Sequence, residues 1–362
     1  MTDNYQKRID LLNTAINSEN EALLITNEVN IGYFTGFFHS EGALLVTQGK
    51  TFLLVDFRYH EAALKKSNAC EVICFRRLSD ELKKLMRQEN IASLHIETAY
   101  LSVERYLFFK KRFAEEAIEV LTDNGLDEKI ASLRITKDDS EIEKLQKAQQ
   151  IAEKAYLELL NDVKPGVSER MLAAKLEYLM KTYGAEDKSF DLITITGKKT
   201  SLPHGVPSDD IVSEGDFVTF DFGAVYDGYH SDTTRTVAVG HATDEMQKIY
   251  HIVLEAQLKA LTVIKPGIAA CEVDKTARDL ITAAGYGEYF GHSTGHGVGL
   301  DIHENPAVSI RCETALRPGM IITDEPGIYL PDRFGVRIED MLCVTKTGYK
   351  NFVTLPKELI IL

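Results

Sequence analysis

Two aspartates, Asp221 and Asp232, stand at the chemical centre of this sequence, in the stretch Asp216–Arg235. Phe217, Val218 and Phe220 read as a strand that delivers Asp221. Tyr226-Asp227-Gly228 reads as a turn, and the threonine- and valine-rich run that follows reads as a returning strand carrying Asp232. Paired as a hairpin, the two strands bring both carboxylates together on a largely apolar support. Such a pair repels unless it is protonated or bridged by a cation. On these two residues alone, a metal site and a solvated turn both stay open.

The second half of the chain repeats the first. Lys164-Pro165-Gly166 and Lys265-Pro266-Gly267 each end a long helical pattern and lie 101 residues apart. Gly184 and Gly285 close the helices that follow, at the same separation. Glu214–Asp221 finds an echo in Pro318–Glu325, so Asp221 corresponds to Glu325. The strand after Asp221, holding Asp232, corresponds to Val336–Val344, holding Glu339. A duplication of this length predicts two helix-pair-plus-hairpin units facing each other across a pseudo-twofold axis, where four carboxylates meet. Matched acids in both copies tip the balance toward a metal.

Between the hairpins, His292, His296 and His303 lie in a segment broken by Gly291, Gly295, Gly297 and Gly299. That many glycines exclude a stable helix and allow the backbone to approach a site closely. With His204 in Leu202-Pro203-His204-Gly205, these histidines read as site residues. Four carboxylates and one imidazole, without a thiolate, suit hard or borderline divalent ions. Manganese or magnesium is favoured by oxygen, with cobalt and zinc left open by the imidazole. Bridging carboxylates would hold two ions about 3.5–4 Å apart, with a shared water as nucleophile.

The ordered set Asp221, Asp232, His296, Glu325, Glu339 resembles the five-ligand pattern of the pita-bread metallopeptidases of family M24. That family includes methionine aminopeptidase, aminopeptidase P and Xaa-Pro dipeptidase. Ser201–Gly205, His292–His303, Glu325–Tyr329 and Gly335–Asp340 resemble its proline-specific branch. The resemblance implies two divalent metal ions, Mn²⁺ foremost and Co²⁺ or Zn²⁺ as alternatives. Asp221 would chelate one ion, His296 and Glu325 the other, and Asp232 and Glu339 would bridge. Glu325 would also serve as general base. His303 and His204 would hold the scissile carbonyl or developing oxyanion, His292 would shape the proline pocket, and Arg337 would support the site electrostatically. Retention of all five ligands argues against a metal-free, creatinase-like activity.

The implied substrates are peptides with proline at the second position. The leading expectation is Xaa-Pro aminopeptidase activity, because Tyr33–Phe37 and Val55–Tyr59 resemble bacterial aminopeptidase P-like members. The alternative is an Xaa-Pro dipeptidase restricted to dipeptides. A remoter one is a non-catalytic peptide-binding protein on the same fold. A homodimer is also implied. One local departure stands out: the family's apolar residue before the metal-binding glutamate is here Asp324.

The elements that must position these residues fall into two domains, as the 362-residue length allows. Residues 1–133 alternate helix and strand patterns and predict an α/β domain with a mixed or parallel sheet, similar to the creatinase/prolidase N-terminal domain. Asn30–Phe37 reads there as an aromatic loop. No phosphate-cradling glycine loop occurs, so nucleotide chemistry is not expected of that domain. Residues 134–362, which carry the internal repeat, would by the resemblance form the α+β pita-bread catalytic domain. Asp139 or Ser140 caps its first helix, with Ile142, Leu145, Ala148, Ile151, Ala152 and Ala155 at helical spacing.

A net charge of −14 argues against general affinity for nucleic acid or anionic membranes. The scattered cysteines Cys70, Cys74, Cys271, Cys312 and Cys343 show neither a disulfide framework nor a zinc ribbon. No segment has the apolar length of a membrane span or secretory leader, so a cytoplasmic location is expected. Asp221-Phe222-Gly223 copies a kinase motif and Gly295-x-Gly297-x-Gly299 a dinucleotide loop. Neither has the surrounding elements its chemistry needs.

Overall fold

A computed structural model describes residues 4–38, 41–123 and 125–362. The chain divides into two compact units, Met1–Arg134 and Ile135–Leu362. The first unit is α/β. Its six-stranded sheet runs in the spatial order Glu71–Phe75, Thr51–Asp56, Ala43–Thr47, Glu21–Ile25, Ser93–Ile96, Glu119–Leu121. Ala43–Thr47 pairs antiparallel with both neighbours and the remaining pairs are parallel, so the sheet is mixed.

Residues expected as an aromatic loop in this unit instead form the helix Glu28–Thr35. Asn27 caps it by accepting the Asn30 N–H, and Gly36 ends it at φ +73°, where an L side chain would be strained. Gly32, in the middle of this helix, is there for space. A Cβ on it would fall 2.0 Å from the Phe38 ring.

The second unit is α+β, in two halves with parallel organisation. Each half opens with a helix pair: Asp139–Leu159 with Glu169–Thr182, then Asp244–Leu261 with Ala270–Ala283. The first helix is started by Asp138, one residue before the expected cap, in a reciprocal capping box with Glu141. Leu145, Ala148, Ile151, Ala152 and Ala155 are buried, and Ile142 in the first turn is half-buried. In the second half, Ile249, Val253, Ala256 and Ala260 meet Val273, Ala277 and Ile281 over the strand residues Ile322 and Leu342. This is the apolar stripe at i, i+3/i+4 that packs a helix on a sheet.

The first half's sheet has Phe217–Phe222 between Ile193–Thr196 and Thr233–Ala238, all antiparallel. The second half's sheet is five-stranded, in the order Glu304–Val308, Gly295–Gly297, Ile321–Asp324, Asp340–Val344, Tyr349–Asn351. Between Ile321–Asp324 and Asp340–Val344 the chain forms the hairpin Gly327–Leu330/Phe334–Arg337. The expected strand Val336–Val344 is therefore two strands, with Ile338 and Glu339 at the break. No described helix is long and apolar enough to cross a membrane.

Candidate metal centre and cleft

The breaks in the strands put the acids where they can meet. Asp221 lies within Phe217–Phe222, and Asp232 just before Thr233–Ala238. Glu325 directly follows Ile321–Asp324, and Glu339 directly precedes Asp340–Val344. His296 sits in the short strand Gly295–Gly297. A Cβ at Gly295 would lie 2.1 Å from the Thr323 carbonyl oxygen, and one at Gly297 2.4 Å from that of Asn305. Only glycine lets this strand seat so deeply, and its depth presents His296 to the acids.

All nine residues singled out in the sequence line one cavity of about 360 Å³: His204, Asp221, Asp232, His292, His296, His303, Glu325, Arg337 and Glu339. Asp232, His296 and Glu339 form the tightest group, with one potential ligand atom from each lying within 4.8 Å of the others. The His296 Nε2 lies 3.4 Å from Asp232 Oδ2 and 3.6 Å from Glu325 Oε1. Its Nδ1 is 3.0 Å from the Gly297 carbonyl, which can only accept, so Nδ1 carries a proton and Nε2 faces the carboxylates. Asp221 stands slightly apart, held by Arg337 Nη2 at 2.6 Å, and its Oδ1 is buried without a hydrogen-bond partner among the described residues.

The electrostatics fit a cation at this centre. Burial pushes the Asp232 carboxyl up to about 6, partly offset by the His296 hydrogen bond, with Asp221 pushing the same way. Burial likewise lifts Glu325 to about 7, and lifts Glu339 well above the carboxylate range with Asp232 as its main like-charge neighbour. His296 moves oppositely. Burial disfavours its charged form, but Asp232 and Glu325 outweigh this and raise it to about 9. Crowded buried acids, one orphaned carboxylate oxygen and an imidazole with its outer nitrogen committed form a donor set for divalent ions.

The surrounding side chains hold these donors. Thr234 Oγ1 donates to Glu339 Oε2 at 2.7 Å and accepts from Arg337 Nε at 3.0 Å. The Glu325 N–H bonds the Thr294 carbonyl at 2.8 Å. Arg337 is buried and also donates to the Tyr329 hydroxyl at 2.9 Å and the Pro203 carbonyl at 3.3 Å. Tyr329 in turn lies 2.9 Å from His292 Nε2, while His292 Nδ1 lies 2.8 Å from the Ser293 carbonyl. Because that carbonyl needs a proton from Nδ1, the Tyr329 hydroxyl donates to Nε2 and the imidazole is neutral. Burial, above all, lowers His292 to about 4.

His303 is exposed, with its ring edge-on to His296 at 4.3 Å between centroids. Partial desolvation of the ring, and then the neighbouring His296 and His204, keep it below the ordinary histidine range. Phe190, Ile193, Pro203, Ile302 and Ala307 supply the apolar lining. Tyr329 and Thr234 were not singled out in the sequence, because their importance is in long-range hydrogen bonds that neither residue type announces.

The profile of Metallopeptidase family M24 matches residues 143–346, and that of the Creatinase/Prolidase N-terminal domain matches residues 8–135. The chain is 43% identical to an Xaa-Pro dipeptidase of Pyrococcus horikoshii, over 94% of each chain. Among solved structures, an Xaa-Pro dipeptidase from Bacillus anthracis matches with a TM-score of 0.93 at 43% identity, covering 99% of this chain and 100% of that one. An X-Pro aminopeptidase from Thermotoga maritima matches with a TM-score of 0.91 at 35% identity, covering both chains in full.

Proposed function

The chain belongs to metallopeptidase family M24, and from that premise we propose that it cleaves the bond between an N-terminal residue and a following proline. The observation that carries this reading is the convergence of all five ligand-type residues and three further histidines on one cavity. When bound, two divalent cations would neutralise the acids and make a water nucleophilic at neutral pH. Mn²⁺ suits the oxygen-rich donor set. Asp221 would hold one ion, His296 and Glu325 the other, with Asp232 and Glu339 between them.

Glu325 takes the proton of the attacking water and returns it to the leaving nitrogen, a role its carboxylate can fill from the cavity wall. His303, kept neutral, donates toward the oxygen on which charge develops, and His204 lines the same cavity. With both ring nitrogens of His292 committed, that imidazole offers the proline ring a shaped wall rather than a hydrogen bond. Arg337 fixes Asp221 and offsets negative charge around it.

Between dipeptides and longer peptides, the similarity to Xaa-Pro dipeptidases at 43% identity, against 35% for the X-Pro aminopeptidase, moves dipeptidase activity ahead of the aminopeptidase expectation. One observation favours aminopeptidase activity as a second reading. Among the described lining residues, Arg337 is the one guanidinium or ammonium group, and its donors are already engaged. A dipeptide brings its carboxylate on the proline itself and needs a counter-charge there. A tripeptide carries that charge farther out. The proposal includes a cytoplasmic homodimer, to be checked by fractionation and sedimentation.

The deciding experiment is a Mn²⁺-supplemented assay on matched Xaa-Pro and Xaa-Pro-Yaa series. Cleavage of dipeptides alone supports the first reading and efficient cleavage of tripeptides the second. Absence of cleavage in both series, with metal bound, overturns the assignment.

A further inference from the structure

His204 reaches the cavity from residues 201–208, an arch without regular strand or α-helix. At the top of the arch Leu202 is 53% and Val206 75% exposed, and its inward contacts are Gly205 against Ile195 and the Pro203 carbonyl 3.3 Å from Arg337 Nη1. The ties that close the arch are at its feet. Both feet rest on one side chain, Glu169, which is 0% exposed in the first turn of the helix Glu169–Thr182.

The Glu169 carboxylate accepts four hydrogen bonds. On the near foot, Thr196 N–H donates to Oε1 at 2.8 Å and Lys199 Nζ to Oε2 at 2.6 Å. On the far foot, the Ser208 N–H and hydroxyl donate to the same Oε2 at 2.8 and 3.0 Å. The helix backbone adds bonds from Glu169 N–H to the Asp210 carbonyl and from Arg170 N–H to that of Ser208, both at 3.0 Å. A buried acid so fully supplied with donors, one of them cationic, is a strong and geometrically defined tie. The proposed metal-ligand residues lie on other segments, and the arch meets their surroundings through the Pro203 carbonyl, 3.3 Å from the Arg337 that holds Asp221, so the tie acts first on His204 and metal content is read alongside turnover.

We propose that Glu169 is the positioning residue for His204: it pins the two feet of the arch together and so aims the imidazole at the reacting carbonyl. This rests on the reading of the cavity as an Xaa-Pro hydrolase site. The clamp itself can be tested without that reading.

The test is a double-mutant cycle of Glu169→Gln and His204→Ala on Mn²⁺-loaded full-length protein, with hydrogen exchange of the arch amides measured in parallel. Loss of a charge-assisted buried bond corresponds to about a tenfold or greater fall in kcat/KM for Glu169→Gln. If Glu169 acts through His204, the double variant is no slower than His204→Ala alone, within about twofold. Metal per chain stays at the wild-type value, and exchange rises in residues 201–208 but not around Gly295–Gly297. Ser208→Ala, which removes one donor and leaves the buried carboxylate paired, reports a milder form of the same pattern if Glu169→Gln does not fold. Multiplicative losses, loss of metal, or unchanged exchange in the arch overturns the proposal. If wild type cleaves no Xaa-Pro peptide but the exchange result holds, the functional reading fails and the clamp stands.

Discussion

The two halves of the catalytic unit solve the same positioning problem with different stiffness. In the first half, His204 stands on an exposed arch tied down by Glu169. In the second half, His292 and His296 stand on a segment gripped by the corresponding second helix, Ala270–Ala283. Asp274 there accepts from Thr294 N–H at 2.9 Å and its hydroxyl at 3.0 Å. Arg278, paired with Asp274, donates to the carbonyls of Phe290 at 2.9 Å and His292 at 2.7 Å. The second segment then enters the sheet, with Gly295 opposite Val308 and Gly297 opposite Ile322. The difference follows the chemistry. On the proposed reading His296 is a metal ligand that must hold its place within a fraction of an ångström, and its backbone is fixed by a sheet and a part-buried ion pair. A histidine that faces substrate, the role proposed for His204, tolerates a looser mount.

The largest break in this comparison comes from the acids shared by both halves. Asp232→Asn and Glu339→Gln, one from each half, are both expected to abolish Xaa-Pro hydrolysis and to reduce bound metal. Chelation should inactivate wild type and Mn²⁺ restore it. Rates and metal content by mass spectrometry check this, and full activity after verified metal loss contradicts it.

The histidines should divide next. His303→Ala is expected to slow turnover by about 10²–10³ while keeping its metal, the usual cost of losing one oxyanion-type donor. His296→Ala should lose metal as well as rate. If His303→Ala empties the site and His296→Ala does not, the two roles must be exchanged.

Asp274→Asn sharpens the contrast between the clamps. It loosens the segment that carries a ligand, so metal affinity should fall about tenfold or more, as for other residues that orient a ligand through its backbone or hydrogen bonds. Glu169→Gln should leave metal affinity unchanged. Competition with a chromogenic chelator measures both, and equal affinities for the two variants would erase the distinction.

Much of this architecture was legible because duplication is written in local text. The repeated Lys-Pro-Gly and glycine stops, the acids at matched positions and the glycine-spaced histidines all follow from neighbouring residues. What was not legible depends on contacts distant in sequence. Glu169 reaches Thr196 and Ser208, Thr234 reaches Glu339, and Tyr329 joins His292 to Arg337. Each looks like an ordinary polar or aromatic residue until the fold is closed. The helix Glu28–Thr35 was hidden for a related reason. Gly32 lowers helix propensity, and the Phe38 ring that requires it is a tertiary contact.

The halves also differ beneath the metal centre, and there the second half carries a defect. Phe220, before Asp221, is buried edge-to-face against Tyr156, with 5.6 Å between ring centroids. Its counterpart Asp324 is equally buried, yet neither carboxyl oxygen has a hydrogen-bond partner among the described residues. Asp324 lies directly opposite Asp340 in the strand pairing. The neighbouring donors are spent on Asp340: Arg235 at 2.9 Å, Lys357 at 2.5 Å and Asn351 at 2.7 Å. Burial first, and then the Asp340 charge, raise the Asp324 carboxyl well above its ordinary range, against the pull of Lys357. The folded protein therefore keeps the proton at a pH where the unfolded chain releases it. For such a group the stability contribution is fullest below the ordinary aspartate range and declines as pH rises through the folded value. Asp324→Val removes an unpaired polar group that costs about 1–3 kcal/mol, so the variant should melt higher than wild type near neutral pH and keep its activity. The gap in melting temperature should narrow as pH is lowered toward the ordinary aspartate range. Calorimetry from neutral pH down toward the ordinary aspartate range measures both. A lower melting temperature together with slower turnover would instead make Asp324 a support of the Glu325 strand.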